Sequence, residues 1–175
     1  MTVKKLTYMA VLTAVALIIF VIEAQIHIPF LPPGAKLGLA NIVTVFALFS
    51  NGNGKMPVKL KTSDVLMILL CRIVLGALFT GRVLAFIYSL AGGALCFCAM
   101  ALVRRVLTER QIWVCSIVGS IFHNIGQIAA AVLVTGSVFI AAYLPVLTIT
   151  GIITGLLTGF AAQFLSARLR GAAGR

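Results

Sequence analysis

The chain has 175 residues, 62% of them hydrophobic, a mean hydropathy of +1.18 and a formal net charge of +11. Soluble domains are about half apolar, so the surplus excludes an ordinary water-soluble domain and predicts an all-α integral membrane protein. The charge does not point to nucleic acid, because the basic residues stand in short loops between apolar runs, the pattern of loops held on the inner face of a membrane.

The first basic residues, Lys4 and Lys5, precede the apolar run Leu6 to Ile22. That run is too long for the core of a signal peptide, and no small-residue cleavage site follows it. It reads as a retained helix over about 6–28, ended by Pro29. Ala10 and Ala14 stand four apart on it and align small residues on one face. The segment Pro29 to Lys36 carries three prolines, which stiffen it and cannot continue a helix. A second span over about 37–50 is too short for a bilayer core, which takes about 20 helical residues. It is expected to be partial, covered by protein, or extended by the loop before it.

The stretch Asn51-Gly52-Asn53-Gly54-Lys55 lacks the phosphate-loop pattern and reads as a turn. A third span is predicted over about 64–79, with Ser63-Asp64 as its N-cap. A fourth covers about 82–103, a fifth about 112–135 and a sixth about 143–166, giving one membrane domain over 1–175. On the sixth, Gly151, Gly155 and Gly159 recur every four residues, a spacing that admits close helix approach within the chain or to a partner. The cysteines Cys71, Cys96, Cys98 and Cys115 all lie in apolar runs and form no zinc pattern. They read as small buried hydrophobes.

Six spans place both termini on the same side. Eleven of the fourteen Lys and Arg residues then share that side, namely Lys4, Lys5, Lys55, Lys59, Lys61, Arg104, Arg105, Arg110, Arg168, Arg170 and Arg175. Four spans would strand a basic loop outside. The expected placement is therefore a multi-pass protein of the bacterial cytoplasmic membrane with cytoplasmic termini, its basic loops meeting anionic lipid headgroups.

The exceptions to this pattern are the candidate functional residues, because an ionisable group inside a membrane is expensive and usually faces a cavity or a partner. Glu23 and His27 share a face near the outer end of the first span. Lys36 lies in the outer loop, Asn41 early in the second span and Arg72 midway along the third. Arg82 opens the fourth span, and His123, Asn124 and Gln127 cluster at the middle of the fifth. Together Lys36, Arg72 and Arg82 oppose one carboxylate, so a water-accessible pocket here favours an anion. Guanidinium forks match carboxylate, phosphate and diphosphate alike. A structural reading stands beside each: Arg72 pairing Glu23 or helix carbonyls, Arg82 snorkelling, Lys36 solvated, and the fifth-span trio as an interhelical network. The chain carries only Glu23, Asp64 and Glu109 as acids, and no nucleophile motif, so no enzyme activity, metal or cofactor is expected.

Five ordered blocks resemble a known set: Pro33-Gly34-Ala35-Lys36-Leu37-Gly38-Leu39-Ala40-Asn41, Gly81-Arg82-Val83, Tyr88-Ser89-Leu90-Ala91-Gly92-Gly93, His123-Asn124-Ile125-Gly126-Gln127 and Tyr143-Leu144-Pro145. Over most of its length the chain resembles the Gx transporter family, also labelled heptaprenyl diphosphate synthase component I. That family is similar in turn to the substrate-binding S components of energy-coupling factor (ECF) transporters. The resemblance implies a six-helix bundle that binds a small organic anion, or an isoprenoid or vitamin-like ligand, from the outer side. It also implies docking through Ala10 and Ala14 onto an ECF-type coupling protein that carries two ATPase subunits.

In such a subunit Lys36, Asn41, Arg72, Arg82, His123, Asn124 and Gln127, with Glu23, bind the ligand, and the segment Pro29 to Lys36 acts as a lid. The alternative is a non-catalytic membrane subunit of heptaprenyl diphosphate, isoprenoid or quinone biosynthesis. Prenyl diphosphate synthases hold magnesium with aspartate-rich motifs, and Asp64 is the only aspartate here. A stand-alone secondary carrier is a third reading.

Overall fold

The computed structural model describes residues 2–26, 36–50 and 58–172. His27, most of the proline-rich segment read as a lid, and the Asn51–Lys55 turn lie outside the described residues. The elements in chain order are α1 (Val3–Gln25), α2 (Asn41–Phe49), α3 (Thr62–Thr80), α4 (Val83–Val103), α5 (Ile112–Thr135) and α6 (Leu144–Ala172). Short 3-10 turns, Glu109–Gln111 and Val138–Tyr143, lead into α5 and α6. The fold is all-α, as composition predicts, and five of the six helices are long and apolar enough to cross a membrane.

The exception is α2. Its nine residues rise only about 13.5 Å, less than half of a hydrocarbon core of about 30 Å. Eight of the nine are buried. The helix packs against α1, α3, α4, α5 and α6, so it lies inside the bundle and is covered by protein on all sides. This agrees with the expectation of a partial, protein-covered second span.

Helix ends follow local chemistry. α3 and α5 stop at Gly81 and Gly136, which take the left-handed conformation at φ +62° and +68°. α3 starts two residues earlier than Ser63-Asp64 predicts. Lys61 holds the N-cap position, and Asp64 reaches back from the third helical position to accept the Lys61 backbone N–H at 2.6 Å. Pro145 falls in the first turn of α6, where its missing N–H costs no helical bond.

α5 is gripped by α4 on one side and α6 on the other. A Cβ at Gly126 would stand 2.7 Å from the carbonyl oxygen of Ala91, and one at Gly155 2.7 Å from Ile117 Cα. At Gly159 the corresponding contact is 2.5 Å to Trp113 Cα. The every-fourth glycines of α6 therefore serve packing inside the chain, where backbones touch without side chains between them. Ser116 and Thr158 share a hydrogen bond of 2.9 Å across the same seam.

One end of the bundle collects charge. Lys5 Nζ pairs with Asp64 Oδ2 at 2.6 Å, tying the start of α1 to the start of α3. Arg170 pairs with Glu109 and donates through Nη2 to the Phe49 carbonyl at 3.2 Å. The Arg104 guanidinium stands 6.0 Å over the Phe49 ring. The start of α1, the end of α2 and the basic loop after α4 thus meet at one end, as the loop charges predict. On the outer surface of α1, Ala10 and Ala14 are both exposed, with no other part of the described chain covering them.

Candidate functional site

Far from that charged end, near the other terminus of α1, the bundle buries an acid. Glu23 is 4% exposed. Its carboxylate accepts the Gly38 backbone N–H at 2.5 Å and a second bond from the Leu39 N–H. Two successive amides turned onto one anion form a small nest. Gly38 makes this turn at φ +80°, a conformation that side chains strain to adopt. Three residues on, the chain enters α2, with the Asn41 N–H bonding back to the Gly38 carbonyl at 3.0 Å. Glu23 thus anchors the entry to the buried half-helix.

Gln127 holds the same segment from α5. Its Oε1 accepts the Lys36 backbone N–H at 2.9 Å, and its Nε2 donates to the Lys36 carbonyl at 2.9 Å. The side-chain amide pairs with one residue's main chain as a neighbouring strand would. Lys36 is therefore fixed in place, and its ammonium turns inward, 3.2 Å over the Phe20 ring. Arg72, 3% exposed at the middle of α3, approaches the same ring with its guanidinium carbon at 6.0 Å. Phe20 offers an aromatic face to two cations at once. Room for the ring comes from Gly76, where a Cβ would lie 2.5 Å from Phe20 Cε1.

The α5 residues complete the chamber. The His123 ring packs between two glycines: a Cβ at Gly38 would meet its Cδ2 at 3.0 Å, and one at Gly92 its Nδ1 at 2.9 Å. Asn41 Nδ2 also abuts Gly38, 2.9 Å from the same Cβ position. Asn124 points towards α6, where its Nδ2 donates to the Leu147 carbonyl at 2.5 Å.

The structure thus brings together Glu23, Lys36, Asn41, Arg72, His123 and Gln127, with Asn124 at the boundary between chamber and α6. Arg82 is different. It caps α4 with its side chain exposed, close enough to act on Lys36 through space but outside the buried set. Burial pushes the Lys36 ammonium down to about 8; Glu23 opposes the shift, and Arg72 and Arg82 add to it.

Several polar atoms here are buried without a hydrogen-bond partner among the described residues. They are Lys36 Nζ, both side-chain atoms of Asn41, Arg72 Nε, His123 Nδ1 and Asn124 Oδ1. Native interiors leave few such atoms unpaired, and each calls for a water, an ion or a ligand. Two cations against one carboxylate leave the chamber with an excess of positive charge, suited to an anion. Sequence reasoning missed Phe20 and Gly76. Phe20 is one apolar residue within an apolar run, and nothing in its neighbours marks it as a cation platform.

A family model for heptaprenyl diphosphate synthase component I matches residues 12–165, most of the chain. No curated protein and no solved structure matches it. The chain belongs to the family of heptaprenyl diphosphate synthase component I.

Proposed function

We propose, starting from that membership, that this chain is a non-catalytic membrane subunit. It captures a small organic anion in the Glu23–Arg72–His123 chamber and passes it on through a partner. The observation that carries the reading is the set of buried, unpartnered donors, the Lys36 ammonium and the Arg72 Nε above all. Leaving such groups unpaired is costly, and an anion satisfies both while balancing their charge.

The name component I implies a partner component. The partner we favour is an ECF-type coupling protein with ATPase subunits, docked on the exposed Ala10 and Ala14 face of α1. In that arrangement both termini and the basic end face the cytoplasm of a bacterial cell and the chamber opens outward. The protein itself catalyses nothing. Its one aspartate, Asp64, is occupied by Lys5 at the opposite end of the bundle from the chamber.

The family's name favours a second reading, a membrane subunit that presents a prenyl diphosphate to a synthase. Native mass spectrometry of the protein, released gently from its own membrane, separates the two. The transport reading expects a water-soluble anion on the wild type, none on Arg72→Met, and ATPase-linked subunits among the co-purifying chains. Affinity for that anion should fall about 10- to 100-fold in Arg72→Met, the range of one lost hydrogen bond to a charged group. A bound prenyl diphosphate together with a synthase chain establishes the second reading. Equal loading of the wild type and Arg72→Met overturns the assignment of the chamber as the site.

A further inference from the structure

The unpartnered atoms of the chamber are not all donors. Lys36 Nζ and Arg72 Nε can only donate. Asn41, 1% exposed, leaves both Nδ2 and Oδ1 without a partner among the described residues. Asn124, 2% exposed, spends its Nδ2 on Leu147 and leaves its Oδ1 unmatched. An anion built of acceptors alone, such as a carboxylate or a prenyl diphosphate, satisfies the two cations and Asn41 Nδ2. It leaves the Asn41 Oδ1 facing a lone pair.

From this mismatch, and resting on the anion-binding reading above, we infer that the ligand carries a second feature. Beside its anionic group it presents an edge with an N–H or O–H donor next to an acceptor, as a ring lactam, an imide or a primary amide does. Asn41 reads that edge with both of its amide atoms, while Lys36 and Arg72 take the negative charge. A carboxamide is suited to such paired reading because its donor and acceptor lie side by side in one plane. The backbone enforces the placement. Asn41 opens α2 directly after the Gly38 turn that Glu23 holds, and the close approach at Gly38 seats the Asn41 amide beside the His123 ring.

The test compares three probes on the detergent-purified protein by titration calorimetry. Orotate has a carboxylate on a ring with an imide edge. Benzoate has the carboxylate and a ring without the edge, and geranyl diphosphate has the anion and an isoprenoid tail without it. The expected result is orotate tighter than either of the others by at least about tenfold, since a site built to pair polar atoms discriminates against ligands that leave them unpaired. Asn41→Leu should erase this preference by costing orotate more than benzoate, which loses only the Nδ2 donor, whereas Arg72→Met should weaken both alike. Benzoate or geranyl diphosphate binding as tightly as orotate overturns the inference and leaves the anion site standing. So does an Asn41→Leu protein that loses both carboxylates equally, which assigns Asn41 to buried water or to folding. If no probe binds the wild type better than Arg72→Met, the anion reading and the inference fall together. The wild-type ranking of the probes decides the matter even if Asn41→Leu does not fold.

Discussion

The α5–α6 seam and the Glu23–His123 chamber use similar materials to opposite ends. Both bury polar side chains between helices, and both rely on glycines to bring backbones close. At the seam the chain completes itself: Ser116 bonds Thr158, Thr158 bonds the Thr154 carbonyl at 2.7 Å, and Asn124 Nδ2 bonds Leu147. In the chamber the main-chain segment 36–39 is well held, yet the side-chain tips of Lys36, Asn41 and Arg72 are left open. A membrane protein gains little by exposing polar groups to lipid and must satisfy them internally. Where it fixes the backbone and leaves the tips unmatched, the missing partner comes from outside the chain. Asn124 stands at the border, its nitrogen bonded in the seam and its oxygen buried without a partner among the described residues.

The strongest way to break this contrast is to overfill the seam. Gly155→Leu would drive a side chain into the α5 backbone, whose Ile117 Cα already stands 2.7 Å from the position of a Cβ. Overpacking costs about 1–3 kcal/mol where side chains can yield, and a backbone yields less. The expected outcome is a cost at or above the top of that range, seen as loss of the monodisperse species on size exclusion or a large drop in melting temperature. Ligand should not rescue it. A Gly155→Leu protein that melts like the wild type would show that the seam is not the rigid half of the molecule.

Much of this division was legible in the sequence, and the failures are instructive. Because lipid forces backbone bonds to close within each segment, long apolar runs with basic loops place the helix ends to within about four residues, except that α6 runs six residues past its expected end. Length alone forbids the second span a crossing and leaves it partial, protein-covered or extended by its loop; the burial of eight of its nine residues selects among these. Glu23, Arg72, His123 and Gln127 stood out because ionisable and amide groups are rare in such runs. Their convergence depends on how α1, α3 and α5 surround the buried α2, which no spacing encodes. Arg82 looked equivalent to Arg72 by type but sits at a helix cap with water in reach. Phe20 and Gly76 form a size-matched pair across two helices, and composition cannot show a contact between two ordinary residues.

A finer probe loosens the latch without touching the ligand's charge partners. Gln127→Ala removes both hydrogen bonds to the Lys36 main chain. At about 1 kcal/mol each, their loss should raise hydrogen exchange at the Lys36 amide roughly 30-fold while α5–α6 protection stays as it was. Gln127→Glu keeps the acceptor for the Lys36 N–H and loses the donor to its carbonyl, so it should fall between the two. Equal loosening of the seam in Gln127→Ala would mean that the two regions are one cooperative unit, and the comparison would collapse.

The mildest probe is pH, and through Lys36 it acts on stability and on anion affinity with opposite signs. Lys36 titrates at about 8 in the folded chain, below its ordinary 10.5, so between those values the unfolded chain binds more protons than the folded one. Burying the charged ammonium costs stability below about pH 8, and that cost is relieved as pH rises through the window. Anion affinity should move the other way, because the neutral amine no longer attracts the ligand. The expected fall is about twofold from pH 7 to 8, approaching tenfold per unit above that. Lys36→Met should flatten both curves, and Arg82→Ala, which removes one neighbouring positive charge, should shift their midpoint upward. Melting curves and probe titrations over pH 7–10 read both signs from the same samples. If affinity and stability rise together with pH, the Lys36 ammonium is not facing the anion.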